Sequence, residues 1–247
     1  MTLGLGTAIT KSNLNNKFLT AIFDGTNDFI TVPDDDALSY TSSTGFGISF
    51  WINLNGIVSH GIITKNDEYN FYVRTITTGT QKIQFEFSVL DASESKLKLG
   101  FLSFEPEEYG TIINQWVHIN GEYTTTTQAR LFVNNVFGSA ASQADFVDIE
   151  NTTNDLLIGK AESQLLGGGD TTDVLSGAMT NLCFYSGTLT LTERTDIFNA
   201  GVSGNFTDHA NNSLIAYYPL TSDLNDISGN NHHGSSATGQ SPIFDLV

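Results

Sequence analysis

Apolar residues in this chain recur mostly at every second position, in short runs broken by turns, and a period of two belongs to strands. In "FGISFWINLNG", Phe46, Ile48, Phe50 and Ile52 fall on one face, and Ser49, Trp51 and Asn53 on the other. "KIQFEFSVLD" sets Ile83, Phe85, Phe87 and Val89 against Lys82, Gln84, Glu86 and Ser88, which predicts a half-buried strand with one wet side. "GIITKNDEYNFYVRT" reads as strand, turn at Asn66-Asp67, strand. "QWVHINGEYTTTTQARLFVNNVFG" reads as strand, Thr-rich turn, strand and a turn at Asn134-Asn135. "DLLIGKA" and "SGAMTNLCFYSGTL" add a short strand and a long one. In "AIFDGTNDFITVP" the turn chemistry of residues 24–28 predicts a hairpin between residues 21–23 and 29–32. One stretch departs from the period. Thr190-Leu191-Thr192-Glu193 fits a capping box, Ile197 and Phe198 supply apolar anchors and Gly201 a stop, so a short helix is predicted near residues 191–200.

These elements predict an all-β chain, a two-sheet antiparallel jelly-roll sandwich with one helix. Residues 1–18, "MTLGLGTAITKSNLNNKF", are small and polar and read as an arm. Residues 19–247 read as a single domain, because no linker separates two cores. No window holds the ~18 apolar residues of a membrane span. Charge bears on partners instead. Ten Lys and Arg against 27 Asp and Glu give −17, which repels phosphate backbones and anionic lipid. Nucleic acid and membrane partners are therefore not expected, whereas cations, neutral sugars or basic proteins suit the surface. Cys183, the only cysteine, forms no intrachain disulfide and reads as a small buried hydrophobe. The opening residues lack a basic stretch followed by an apolar core, so no secretory signal is read.

The order of the pieces carries a resemblance. "FDGTNDFITVPDDDAL", "FGISFWINL", "GIITK", "WVHINGEYTTTTQARLFVNN", "LLIGKA" and "SGAMTNLCFYSGTLTLTERTDIFNAG" together resemble the laminin-G-like jelly rolls of the concanavalin A-like lectin and glucanase superfamily, over residues 21–201. In many members a stretch similar to "LIAYYPLTSDLNDISGNNHHG" precedes the first of these pieces. Here it follows the helix, which resembles a circular permutation in which the closing segment completes the sandwich beside the Phe23 and Phe29 strands. With its "GLGT" opening, the layout is similar to structural proteins of tailed bacteriophages. That implies a virion protein made in a host cytoplasm, with the arm as its contact to other virion proteins.

The same resemblance frames the chemistry. Glucanases of this fold carry Glu, Asp and Glu on one strand, but "FVDIE" has Phe146 where the nucleophile would stand, ahead of Asp148 and Glu150. Retaining hydrolysis needs two carboxyl groups about 5 Å apart, so no enzyme activity is expected. The glycine run "LLGGGDTTD" is followed by no Lys-Ser/Thr and is not a phosphate loop. Histidines are few and scattered, and the adjacent His232 and His233 point to opposite faces on a strand, so no zinc site is argued. Asp223, Asp226, Asn230 and Asn231 offer oxygens in one loop, and Asp24 and Asp28 would sit beside it, so the set either holds a calcium ion or makes plain turns. Asp170 and Asp173 are a second candidate pair. Sugar binding needs a reachable aromatic platform, and Tyr69, Tyr72 and Tyr109 are the candidates, whereas Trp51 and Trp116 read as core. Acceptor patterns for glycosylation at Asn151, Asn205 and Asn211 are read as chance. The expected function is a non-enzymatic virion structural or adhesion module, a capsid decoration or fibre component that contacts protein or host surface glycan. The alternatives are a free lectin, calcium-dependent or not, and a degenerate glycoside hydrolase. A homo-oligomer is left open.

Overall fold

The computed structural model describes residues 18–40, 44–76, 82–90, 96–104, 112–124, 128–142, 149–161, 173–207 and 213–247. Two antiparallel sheets face one another. The first carries β1 (Leu19–Asp24), β3 (Phe46–Leu54), β8 (Trp116–Thr124), β9 (Gln128–Val133), β10 (Val136–Ser142), β14 (Ser176–Ser186), β15 (Leu214–Tyr218) and β16 (Ile243–Leu246). Its order is β10-β9-β8-β3-β14-β1-β16, and β15 also pairs with β14. The second carries β2 (Ile30–Val32), β4 (His60–Lys65), β5 (Tyr69–Ile76), β6 (Lys82–Leu90), β7 (Lys96–Phe104) and β11 (Leu156–Ile158), in the order β2-β11-β4-β5-β6-β7. A small hairpin, β12 (Lys160–Ala161) with β13 (Asp173–Val174), stands outside both.

Alternation explains which side chains fill the space between the sheets. Phe46, Ile48, Phe50, Ile52 and Leu54 of β3 meet Phe71, Val73, Phe85, Phe87 and Val89 of the opposite sheet in one buried cluster. Phe50 lies edge-on to Phe71, and Phe71 stacks on Phe87. The other face of β3 is covered too. Trp51 packs with Cys183, Tyr185, Ile197 and Tyr217 beneath helix α1 (Leu191–Ala200). That helix begins with both bonds of the capping box, between Thr190 and Glu193, and ends at Gly201 with φ 73°.

One local expectation fails. Residues 24–28 do turn the chain, and Asp24 Oδ1 accepts from the Thr26 and Asn27 amides. Yet β1 pairs with β14 and β16, whereas β2 pairs with β11 in the other sheet. The turn crosses between sheets and makes no hairpin. The closing segment runs alongside both of these strands. Ile243 to Leu246 pair with β1, Ser235 exchanges two backbone hydrogen bonds with Thr31, and Phe29 N donates to Gln240 O.

Candidate functional site

The six-stranded sheet has an outer face, turned away from the core, and its side chains are polar. Register places Thr64 beside Asn70 and Asn70 beside Ser88, while Tyr72 neighbours Glu86. Arg74 reaches Glu86 with its Nε 3.2 Å from the carboxylate. Burial raises the Glu68 and Glu122 carboxyls elsewhere in the molecule, but on this face the charge is neutralised by pairing. The sequence predicted a wet side here, and the structure covers much of it: Asn70 and Thr64 are fully buried and Ser88 is 2% exposed.

Part of the cover is the β12/β13 hairpin. A side chain at Gly61 would collide with the Ala161 amide and the Asp173 carbonyl, so only glycine lets the hairpin lie so close to β4. Tyr72 packs on Ala161 and donates to the Asp173 carboxylate. Burial and that carboxylate push the Tyr72 phenol well above its usual range.

Beneath this cover, hydrogen-bonding capacity is left unused. Neither the Nδ2 nor the Oδ1 of Asn70 has a partner, and neither does Thr64 Oγ1. An amide carries two donors and two acceptor lone pairs, and leaving buried polar atoms unpaired costs about 1–3 kcal/mol. Native proteins rarely keep such groups without a ligand, a water or a functional reason. Asn70 and Thr64 are thus unpartnered polar groups paired side by side on one sheet face.

The expected site residues fare differently. Tyr69 is not reachable: strand parity points it into the core, it is fully buried against Tyr40 and Phe46, and it donates to the Leu38 carbonyl. Tyr72 is on the outer face but only 6% exposed, because the hairpin lies on it. Tyr109, Phe146, Asp148 and Asp170 lie outside the described residues. Trp116, expected in the core, is half-buried and lies tilted against Phe18. Asn70 went unnamed because its signal is parity with the wet side of β6, which appears only once β5 and β6 are paired.

The expected calcium ligands are occupied by hydrogen-bond donors. Asp226 accepts from the amides of Tyr217, Ser228 and His232 and from the Ser228 hydroxyl. Asp223 accepts from the Asn225 amide, and Asp28 from the Asp24 amide. Asn230 turns its Nδ2 donor toward the Leu214 and Ile215 carbonyls. Asn231 takes φ 64°, a left-handed turn position that asparagine tolerates. Among the described residues no group of three or more His, Cys, Asp or Glu side chains is placed to hold a metal. Asp226 instead ties the closing segment to β15.

No family model matches this sequence, and no curated protein does. Solved structures do resemble the fold. A protein from Bacteroides ovatus described as a "putative carbohydrate binding protein" matches at TM-score 0.61 and 14% identity, over 93% of this chain and 60% of its own. The heptameric SAP-like pentraxin of Limulus polyphemus matches at 0.51 and 13%, over 93% and 92%. The receptor binding domain of a botulinum neurotoxin C/D mosaic serotype matches at 0.53 and 14%, over 76% of this chain but 43% of that one. The chain thus spans less than half of the neurotoxin domain. At these identities the likeness shows the fold: an antiparallel β-sandwich of the jelly-roll kind seen in lectin-like domains.

Proposed function

We propose that this protein is a non-enzymatic recognition module that holds a hydroxyl-rich ligand of the glycan class on the outer face of its six-stranded sheet. The observation that carries this reading is the amide of Asn70, unpartnered beside an unpartnered Thr64 hydroxyl; both are fully buried, so a ligand reaches them only when the cover of this face moves aside. Amides and hydroxyls at fixed spacing suit the alternating donors and acceptors of a sugar, with the Arg74–Glu86 pair at the margin. The fold supports the reading, since neighbours of the same architecture are described as carbohydrate-binding or receptor-binding. Neither carboxylate at the face is free for acid–base work. Glu86 is held by Arg74 and Asp173 by Tyr72.

A glycan array, read with and without chelator, tests this. Selective binding that survives chelator is expected. Asn70→Leu should weaken it at least about tenfold, and the melting temperature should rise, because an unmet buried amide costs about 1–3 kcal/mol. Flat binding to every glycan, or unchanged affinity in Asn70→Leu, would overturn the reading.

The module's setting is a bacteriophage particle in this proposal, as a capsid decoration or fibre component, with assembly in the host cytoplasm. Segment order and the "GLGT" opening support that placement. Co-purification with intact particles in a fixed copy number tests it, and absence from them would leave the free lectin.

A further inference from the structure

On the opposite side of the molecule, a groove of about 310 Å³ lies on the outer face of the eight-stranded sheet. Register explains its shape. Ile22, Ala178, Asn53 and Trp116 form one row across β1, β14, β3 and β8, and the row dips at Ala178, its smallest side chain. Ile22, Ala178 and Val247 supply an apolar floor, and Asn53, Asn55 and Asn114 a polar wall. Helix α1, which covers Trp51 further along β3, contributes no residue to the lining.

Backbone bonds hold the wall in place. The Asn55 amide donates to the Ser176 carbonyl and the Asn114 amide to the Leu54 carbonyl. Asn114 takes φ 55°, a left-handed position that asparagine tolerates. None of the three asparagine side chains is hydrogen-bonded to a described residue. Each therefore offers two donors and two acceptor lone pairs from a fixed backbone. No lining side chain is charged, although the chain carries 27 acidic and 10 basic residues.

We propose that this groove is a second binding site, for a neutral acetamido sugar of the N-acetylhexosamine class. An N-acetyl group presents a methyl and a secondary amide side by side. The methyl matches the floor of Ile22, Ala178 and Val247, and asparagine amides pair with both the N–H and the C=O of the group. Trp116, half-buried at the end of the row and tilted against Phe18, sets an aromatic surface beside Asn53, where the apolar face of a sugar ring packs. Size limits the ligand, since ligand sites span about 300–1,000 Å³ and this groove is at the small end, enough for one sugar unit. Charge limits it further. A lining without a cation, in a chain of net charge −17, disfavours an anionic sugar acid. The inference shares its ligand class with the proposed function but none of its residues, so either site stands without the other.

The full chain is titrated with the methyl glycoside of N-acetylglucosamine and followed by amide NMR. Signals of Ile22, Ala178 and the side-chain amides of Asn53, Asn55 and Asn114 are expected to shift. The methyl glycosides of glucose and of N-acetylneuraminic acid should bind about tenfold more weakly, one lacking the acetamido group and the other carrying a negative charge. A double variant, Asn55→Ala with Asn114→Gly, removes two exposed amides and keeps the left-handed position. It should lose about tenfold in affinity while melting as wild type does. Ala178→Leu, which fills the floor, blocks the site by a separate route and should abolish the shifts. Asn70→Leu should leave them as they are. Absent shifts, equal binding of glucose, or unchanged affinity in both groove variants would overturn the second site. Shifts confined to Thr64 and Asn70 would overturn it too, and would leave the site on the six-stranded sheet standing.

Discussion

His118 is buried beneath helix α1 with neither ring nitrogen bonded, its ring 5.2 Å from Trp51 and 6.0 Å from Phe198. Burial alone pushes its pKa down to about 3, so the folded chain keeps the imidazole neutral. An unfolded histidine takes up its proton near pH 6.5. Between those values the unfolded chain binds a proton that the folded one refuses. The stability contributed by His118 is therefore intact above about pH 6.5 and lost as pH falls toward about 3, with a limiting slope of about 1.4 kcal/mol per unit. Glu68 and Glu122 act with the opposite sign, because burial raises both. The useful measurement is thus a difference: chemical denaturation of wild type and His118→Gln from pH 7 to 4. The gap between the two curves is expected to shrink or invert as pH falls. A constant gap would show that the imidazole is not held neutral.

At the scale of elements, the helix and the turn it follows illustrate what local chemistry controls. The Thr190 hydroxyl accepts from the Glu193 amide, and Glu193 returns the bond to the Thr190 amide. Thr190→Ala should cost about 1 kcal/mol, or ~2–4 °C in Tm for a chain of this length, and an unchanged melt would show that tertiary packing alone holds the helix. Such caps are visible in sequence because every partner lies within four residues. The faces of β3 and the polar face of β6 were visible for a similar reason, since alternation is local, though the cover over that face was not. The destination of β2 was not. Turn residues at 24–28 dictate that the chain reverses but not which sheet receives it, and here the contact that decides is the distant pairing of β2 with β11. Tyr69 shows the same limit. Its side points inward because Lys65 pairs with it across the β4/β5 turn, after a bulge between Gly61 and Ile63 shifts the register. Asn70 inherits the opposite parity, which is why the polar face became legible only in the assembled sheet.

Across the whole molecule, the two ends of the described chain are neighbours: the Val247 amide donates to the Phe18 carbonyl at 3.3 Å, and β16 runs antiparallel to β1. The closing segment also reaches the second sheet, through Ser235 on Thr31 and Gln240 on Phe29. Tyr218 and Ala216 of β15 are fully buried in the shared core. Packing therefore demands that this segment be present but is indifferent to where the backbone is joined. A permuted chain follows from that. It would begin at Ser213, run to Val247, cross a short Gly-Ser linker to Phe18 and end at Thr207, restoring the order that the laminin-G-like resemblance implies. Neighbouring termini make such rewiring tolerable. The permuted chain is expected to melt cooperatively within about 4 °C of a matched chain comprising residues 18–247, a difference of ~1 kcal/mol at this size. Loss of a cooperative melt would mean that the connection between α1 and β15 is itself needed, and that the sandwich is not closed by packing alone.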